Sequence, residues 1–497
     1  MFISMYDLHS ILPEMYLFFC VSLLLTYSVI FSTSKSLGYP LINLNIGWLT
    51  LQSSLFAIFI LLALPLFNFF SWSQLLVSDF FVLGIKLVLL ISFICWFFLS
   101  LSYVSIEKLN SPEYWILSLL GLIGMLFVVQ VCDLLSLYLM VEFQSLVFYV
   151  LASFKRTSEF STESGLKYFI MGAFSSALLL FGSSLLYGLT GLTHFSDYTK
   201  LLTGLIISDH LLNFGITLGI ALINVSLLFK LSSAPFHMWS PDVYEGAPTS
   251  ITAFFSILPK LAVLSVLSRL FFIVFHDFIN FWQNMILFCA YLSILIGTLG
   301  ALVQQKWKRF IAYSSINHVG FLLLGFSTGE LESIFSIVFY TFVYIIMMFG
   351  IFLFVSNLRY YQYPTHYQIR YIKDLTGLST LNPVLSSTLA LILFSMAGIP
   401  PLAGFFSKIF VLLPTLQNNM YSLAIFAVLM SCIACFYYIR IIKLMYFDKS
   451  ENLVVTYPIS KEGSLLLTFF LFLVSFLFLD LELFSLFVTR MVLPFLG

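Results

Sequence analysis

The sequence has 497 residues, 61% hydrophobic and only 9% charged. A soluble domain carries roughly 45–50% apolar and about 25% charged residues, so this chain cannot cover itself with a polar surface in water. A soluble enzyme, a secreted module and a nucleic-acid binder are excluded, and a polytopic membrane protein remains.

A helix needs about 20 apolar residues to cross a bilayer. In chain order the apolar runs predict spans at 13–32, 48–67, 80–104, 113–131, 133–153, 165–189, 211–231 and 250–274. Six more follow at 280–303, 310–327, 332–357, 383–414, 420–446 and 464–488. The expected fold is therefore all-α with about 14 transmembrane helices and no loop long enough for a soluble catalytic domain. The first run follows Asp7, His9 and Glu14, without the basic segment of a signal peptide or the Arg/Ser-rich character of a transit peptide. The expectation is synthesis inside the compartment or insertion by a bacterial system.

The 58 Phe residues read mostly as lipid-facing bulk, a bias that an AT-rich organellar genome also produces. The six Cys residues lie in apolar runs, and Cys432 and Cys435, although spaced as a redox pair, have no His or carboxylate beside them. They read as small buried hydrophobes, with no disulfide framework or metal site.

Lys and Arg set orientation. Fourteen basic residues fall in loops joining odd to even spans or following span 13: Lys35, Lys108, Lys155, Arg156, Lys306, Lys308, Arg309, Arg359, Arg370, Lys373, Arg440, Lys443, Lys449 and Lys461. The opposite ends hold only Lys200, Arg269 and Arg490. This imbalance places the first set on the cytoplasmic or matrix side, and both termini on the other.

Five basic residues remain within or at the edge of spans: Lys86, Lys167, Lys230, Lys260 and Lys408. Glu142 is the one carboxylate near the centre of a predicted span. An ionisable group at that depth defaults to a functional reading. Lys260 lies ten residues inside its span, about 15 Å at 1.5 Å per residue, too deep for its stem to reach the interface. Glu142, nine residues inside its span, is equally trapped. Lys230 ends its apolar run, where snorkelling would explain it, but Pro235 follows and breaks the helix. Pro400 and Pro401 interrupt span 12 in the same way, with Lys408 soon after. Lys167 and Lys86 lie nearer span edges, where structural and functional roles compete. His318 is mid-span and reads either as a satisfied core histidine or as a proton relay.

Two Pro-interrupted helices five spans apart, each with a neighbouring Lys, are the trace of an inverted repeat. The expected division is 1–112 as an N-terminal three-helix segment, 113–275 and 276–447 as two inverted five-helix repeats, and 448–497 as a C-terminal helix.

Several stretches carry a resemblance: Tyr138-Leu-Met-Val-Glu-Phe-Gln-Ser-Leu146, Glu159-Phe-Ser-Thr-Glu-Ser-Gly-Leu-Lys-Tyr-Phe-Ile170, Phe229-Lys-Leu-Ser-Ser-Ala-Pro-Phe-His-Met-Trp239 and Pro241-Asp-Val-Tyr-Glu-Gly-Ala-Pro248. Pro259-Lys-Leu261, Lys308-Arg-Phe-Ile-Ala-Tyr-Ser-Ser-Ile316 and Ala397-Gly-Ile-Pro-Pro-Leu-Ala-Gly404 continue it. Together they cover nearly the whole chain, which resembles subunit 2 of mitochondrial NADH dehydrogenase, equivalent to bacterial subunit N of complex I, in its long plant, algal or protist form. Ser250, where a Pro is usual, and Phe321, where a Tyr is usual, depart from the pattern.

The resemblance implies an antiporter-like fold with helices 7 and 12 broken, and proton transfer through Glu142, Lys230, Lys260 and Lys408, with Lys167 and His318 as secondary candidates. It also implies a mitochondrial inner membrane location, with a bacterial inner membrane as the alternative, and both termini on the intermembrane-space side. Expected partners are other membrane-arm subunits of complex I, including neighbouring antiporter-like subunits, and the lipid bilayer; nucleic acid is not a partner. The chain has no Gly-x-Gly-x-x-Gly, Cys-rich cluster or haem signature, so no cofactor is expected in it. NADH, FMN, Fe–S clusters and ubiquinone then belong to partner subunits. The rival reading is a subunit of a cation/proton antiporter of the same superfamily.

Overall fold

In hydrocarbon, backbone N–H and C=O groups have no water to bond, so each long apolar run closes its hydrogen bonds internally as a helix. The computed structural model describes residues 5–31, 43–64, 68–107, 109, 111–205, 210–362, 365–448, 455–456 and 459–495. Lys35, Lys108 and Lys449, three of the orienting residues, lie outside the described residues.

The helices are α1 (Met5–Phe31), α2 (Asn43–Ala63), α3 (Phe80–Ile106), α4 (Glu113–Gln130), α5 (Leu134–Ala152), α6 (Glu159–Thr190) and the short amphipathic α7 (Phe195–Leu205). They continue with α8 (His210–Leu231), α9 (Trp239–Gly246), α10 (Thr249–Arg269), α11 (Ile279–Val303), α12 (Trp307–Ser327) and α13 (Leu331–Asn357). The last are α14 (Leu378–Leu381), α15 (Pro383–Ala397), α16 (Ala403–Gln417), α17 (Tyr421–Tyr446), α18 (Lys461–Phe476) and α19 (Leu481–Val492). Among the described residues, 13 helices are long and apolar enough to cross a membrane, with α18 and α19 forming one of them. The two shorter apolar helices α15 and α16 flank the second break, within the run expected as the twelfth span.

Helix starts follow from their caps. The Asp79 carboxylate accepts from Val82 N at 2.9 Å to open α3, and Asp133 accepts from Leu135 N at 3.0 Å to open α5. Asn382 accepts from Leu385 N at 3.1 Å, with Pro383 in the first helical position of α15. Gly191 and Gly398 end α6 and α15 with φ of +71° and +86°, a conformation in which a Cβ would be strained.

The central helices are α10, α12 and α13, buried along 94% of their apolar windows, whereas the α18–α19 span is 17% buried and lies at the periphery. Polar side chains collect at the two ends of the bundle. At one end Glu107 accepts from Lys155 at 2.7 Å and from Arg359 at 2.9 Å, and Arg309 reaches Asp242 at 2.8 Å. Short strands lie there too: Arg359–Gln362 pairs antiparallel with Thr365–Gln368 and with Val455–Thr456. At the other end a hairpin joins Phe69–Ser71 to Leu76–Ser78, and Arg269 pairs with Asp79 at 3.0 Å. These strands and α7 fall in segments whose alternation is too short to read in sequence. Arg269, expected at a loop edge, is buried because Asp79 neutralises it.

Candidate functional site: a line of buried lysines between two helix breaks

α8 carries Lys230 in its last turn and stops at Leu231 because Pro235 has no N–H to continue the ladder. Ser232 turns the chain with φ +62°. The carbonyls freed by the break find other donors: Ser233 N reaches Leu228 O at 3.1 Å, and Trp239 Nε1 reaches Phe229 O at 2.9 Å. Trp239 is itself held by stacking on Tyr168, ring centres 4.7 Å apart. The break is thus a built corner with its backbone satisfied.

Lys230 is buried beside it, its Nζ 5.9 Å from the Tyr149 ring centre and without a hydrogen-bond partner among the described residues. The carboxylate whose charge bears on it is Glu142, seven residues before Tyr149 on α5. Glu142 is half-buried, and Ser145 donates to its Oε2 at 3.3 Å. The Glu142 charge acts on Lys230, and the two form no ion pair among the described residues. Asn224 and Gln144, also buried, keep side-chain atoms unpartnered.

Lys260 sits halfway along α10, a helix buried throughout. Its Nζ donates to the Tyr344 hydroxyl at 3.1 Å and lies 5.2 Å from that ring's centre. Tyr344 in turn donates to Ser256 O at 3.1 Å, one turn earlier on α10. The His318 ring lies 5.7 Å from the Tyr344 ring, and its Nδ1 is 2.8 Å from the Tyr340 hydroxyl. His318 Nε2 has no partner among the described residues, and the charges that bear on it are those of Lys408 and Lys260. Tyr340 and Tyr344 were missed in the sequence, although two tyrosines four apart in the apolar α13 are a legible sign of one polar face.

Lys408 belongs to the second break. α15 ends at Ala397, where Gly398 N takes up the Phe394 and Ser395 carbonyls, and carries the partial negative charge of a helix C-terminus. Lys408, on the first turns of α16, reaches back and donates to Ala397 O at 2.7 Å and Met396 O at 3.1 Å. The positive φ of Gly398 turns those carbonyls toward it, and the following Pro400 and Pro401 keep α15 from continuing. Gly404 N donates to Ser395 Oγ at 3.1 Å, fastening α16 to the end of α15.

Lys167 is not brought to this line. It is 45% exposed and pairs with Glu163 at 2.8 Å and Asp242 at 3.1 Å. That network, shared with Arg309, adjoins a cavity of about 690 Å³ at the basic end, lined by Glu107, Lys155, Glu245, Lys306, Lys308 and Arg370. Lys308 donates across it to Ala247 O at 2.7 Å, next to the segment that resumes after the first break. Burial raises the pKa of Glu107 there, but Lys155 and Arg359 outweigh it with hydrogen bonds and charge, leaving the carboxyl below its ordinary range.

Residues 132–434, more than half of the chain, match the family described as NADH:quinone oxidoreductase/Mrp antiporter, transmembrane. The chain belongs to that family. It is 44% identical over 476 residues to NADH-ubiquinone oxidoreductase chain 2 of Marchantia polymorpha, covering 95% of this chain and 96% of the relative. It is 44% identical over 385 residues to NADH-quinone oxidoreductase subunit N of Pelagibacter ubique (strain HTCC1062), covering 77% and 79%. A solved structure of respiratory complex I from Thermus thermophilus contains a chain of the same fold, with TM-score 0.77, 24% identity and coverage of 95% and 98%. At that identity the likeness speaks for the fold alone. Glu142, Lys230, Lys260, His318 and Lys408 all lie within the segment that matches the family, and both helix breaks do as well.

Proposed function

We propose that protons pass through this chain along Glu142, Lys230, Lys260, His318 and Lys408. The chain is a proton-pumping, antiporter-like membrane subunit of complex I, the NADH:ubiquinone oxidoreductase. The observation that carries the proposed path is Lys260: a lysine halfway along a helix buried throughout, held by one tyrosine hydroxyl and by no counter-charge among the described residues. A purely structural lysine at that depth would be expected to have an anionic partner. Its neighbours on either side are also ionisable, and two of them sit at helix breaks.

Approach of the Glu142 carboxylate favours a charged Lys230, and separation favours release of the proton. The two groups titrate together, so the unit of function is the pair. Working against 100 mV requires about 2.3 kcal/mol per charge, which a change in proton affinity of about 1.7 pKa units supplies. Lys260, Tyr344 and His318 continue the line to Lys408, where helix-end carbonyls hold the charge in place of a carboxylate. Lys167 then acts at the basic end, as part of the charged rim of the cavity and outside the path.

The wider setting follows the same reading. The basic end faces the mitochondrial matrix and both termini face the intermembrane space of the inner membrane. NADH, FMN, Fe–S clusters and ubiquinone reside in partner subunits, and the flanks of the bundle meet other membrane-arm subunits and lipid. The two helix breaks support the reading of residues 113–275 and 276–447 as inverted repeats between the N-terminal and C-terminal helices.

The test is Glu142→Gln in the assembled complex. Glu142 makes no ion pair among the described residues, so assembly and electron transfer survive while protons moved per NADH fall sharply. Undiminished pumping overturns the path.

A further inference from the structure

Glu14 and Lys86 lie outside residues 132–434, in the first three spans, and the buried lysine line does not use them. The sequence places Glu14 at the edge of the first apolar run. In the structure it is the tenth residue of α1, fully buried, and forms an ion pair with Lys86 of α3, itself 4% exposed. The depth of the pair follows from two contacts between the antiparallel helices α3 and α10. Asp79 meets Arg269, and Trp96 Nε1 donates to Ser250 O, so residue numbers facing one another sum to about 347. Lys86 is therefore level with residue 261, at the same depth in the bundle as Lys260.

Two features separate this pair from a structural staple. A buried ion pair offsets its desolvation only when the remaining lone pairs are also bonded, yet beyond Lys86 neither Glu14 oxygen has a hydrogen-bond partner among the described residues. The Asp79–Arg269 pair differs, for its Asp79 also caps α3 through Val82 N. Secondly, Lys86 forms the floor of a cavity of about 60 Å³, lined also by His9, Ser10, Asn68, Asp79 and Gln130. Apolar side chains including Leu61, Phe80 and Leu83 complete the lining; the volume is large enough for water at its polar groups, and its rim reaches the surface at the exposed His9 and Asn68.

We propose that Glu14 and Lys86 form a proton-exchange site in the N-terminal three-helix segment, communicating with the His9 end of the bundle through this cavity and separate from the buried lysine line. Lys86 stands between the cavity and Glu14. Its ammonium hands a proton to the Glu14 carboxylate, and the resulting amine takes one from cavity water, so the pair passes from net zero to net +1. The reverse sequence returns the proton. The charged groups around it are Asp7 and His9 on α1, Asp79 at the start of α3, and on α10 Arg269 and, level with Lys86, Lys260, whose ammonium donates to Tyr344. The described part of α2 has none, α4 presents the neutral Gln130, and Glu482 and Arg490 of α19 are exposed. α3, which carries Lys86, packs against α10, which carries Lys260.

The test uses the whole complex in sealed proteoliposomes, read by infrared difference spectroscopy as the pH of one bath is changed. Wild type is expected to show a buried-carboxyl C=O band that shifts in D2O and follows the bath at the His9 end. Glu14→Gln loses the band. Should that variant fail to assemble because Lys86 is left unpaired, Glu14→Gln with Lys86→Met removes both charges and gives the same readout. Difference spectra identical in wild type and variants, or a band that follows the opposite bath, overturn the proposal. The band persists in Lys260→Met whatever that variant does to pumping, so the two proposals fail independently.

Discussion

Replacing Lys260 with Met removes the charge while keeping the length of the side chain. The structure predicts that the fold tolerates it. Lys260 gives one hydrogen bond, to Tyr344, and Tyr344 keeps its own bond to Ser256 O when the ammonium is gone. No buried donor is orphaned, so the stability change is that of a volume-conserving swap, below about 1.5 kcal/mol. Transport is another matter. Without a side chain to carry the proton, an unassisted charge crosses the centre of the bundle at a cost of about 3 kcal/mol, which slows the step about 150-fold. The assay is proton uptake and NADH oxidation measured together on the reconstituted complex. Normal assembly with a reduced proton-to-electron ratio is expected. An unchanged ratio at normal turnover refutes the reasoning, because it means that the lysine at the centre of α10 carries no protons.

Lys408→Met behaves differently, since it leaves Met396 O and Ala397 O without their donor; at about 1–2 kcal/mol for each buried carbonyl, the complex loses about 2–4 kcal/mol, read as a lower melting temperature as well as lost pumping. Lys167→Ala removes an exposed pair to Glu163 and Asp242, and pumping and melting temperature both stay near wild type. Glu107 titrates below its ordinary value of 4.5 in the folded chain, so its contribution to stability is complete above that value and is lost as pH falls through the lower, folded-state value. A melting-temperature series in acid therefore flattens in Glu107→Gln.

Much of the fold was legible in advance because the bilayer removes alternatives. A run of Leu, Phe and Ile with no water around it has one way to satisfy its backbone, so counting apolar residues located the spans, with helices starting as much as eight residues earlier at α1 and six at α6. The breaks were legible for the same reason: Pro235 and the Pro400–Pro401 pair cannot donate. The candidate site was legible because Lys260 and Glu142 are ionisable where ionisation is costly. Glu14 escaped that logic, since the polar residues before it made the helix seem to begin at position 13 when it begins by Met5. Lys167 shows the opposite error, a lysine of the span that turns out to lie on an exposed face.

Composition and hydrophobic run length by themselves determined a membrane protein of about 14 crossings with two broken helices and a handful of trapped charges. Those quantities are local: each depends only on whether a segment can meet its own hydrogen bonds and reach an interface. Tertiary structure decided partnership. It set Lys260 on Tyr344, Lys408 on the end of α15, Glu142 short of Lys230, and Glu14 directly on Lys86 across 72 residues of sequence. Charge interactions act through space at a few ångströms, and no one-dimensional spacing encodes which helices will lie side by side.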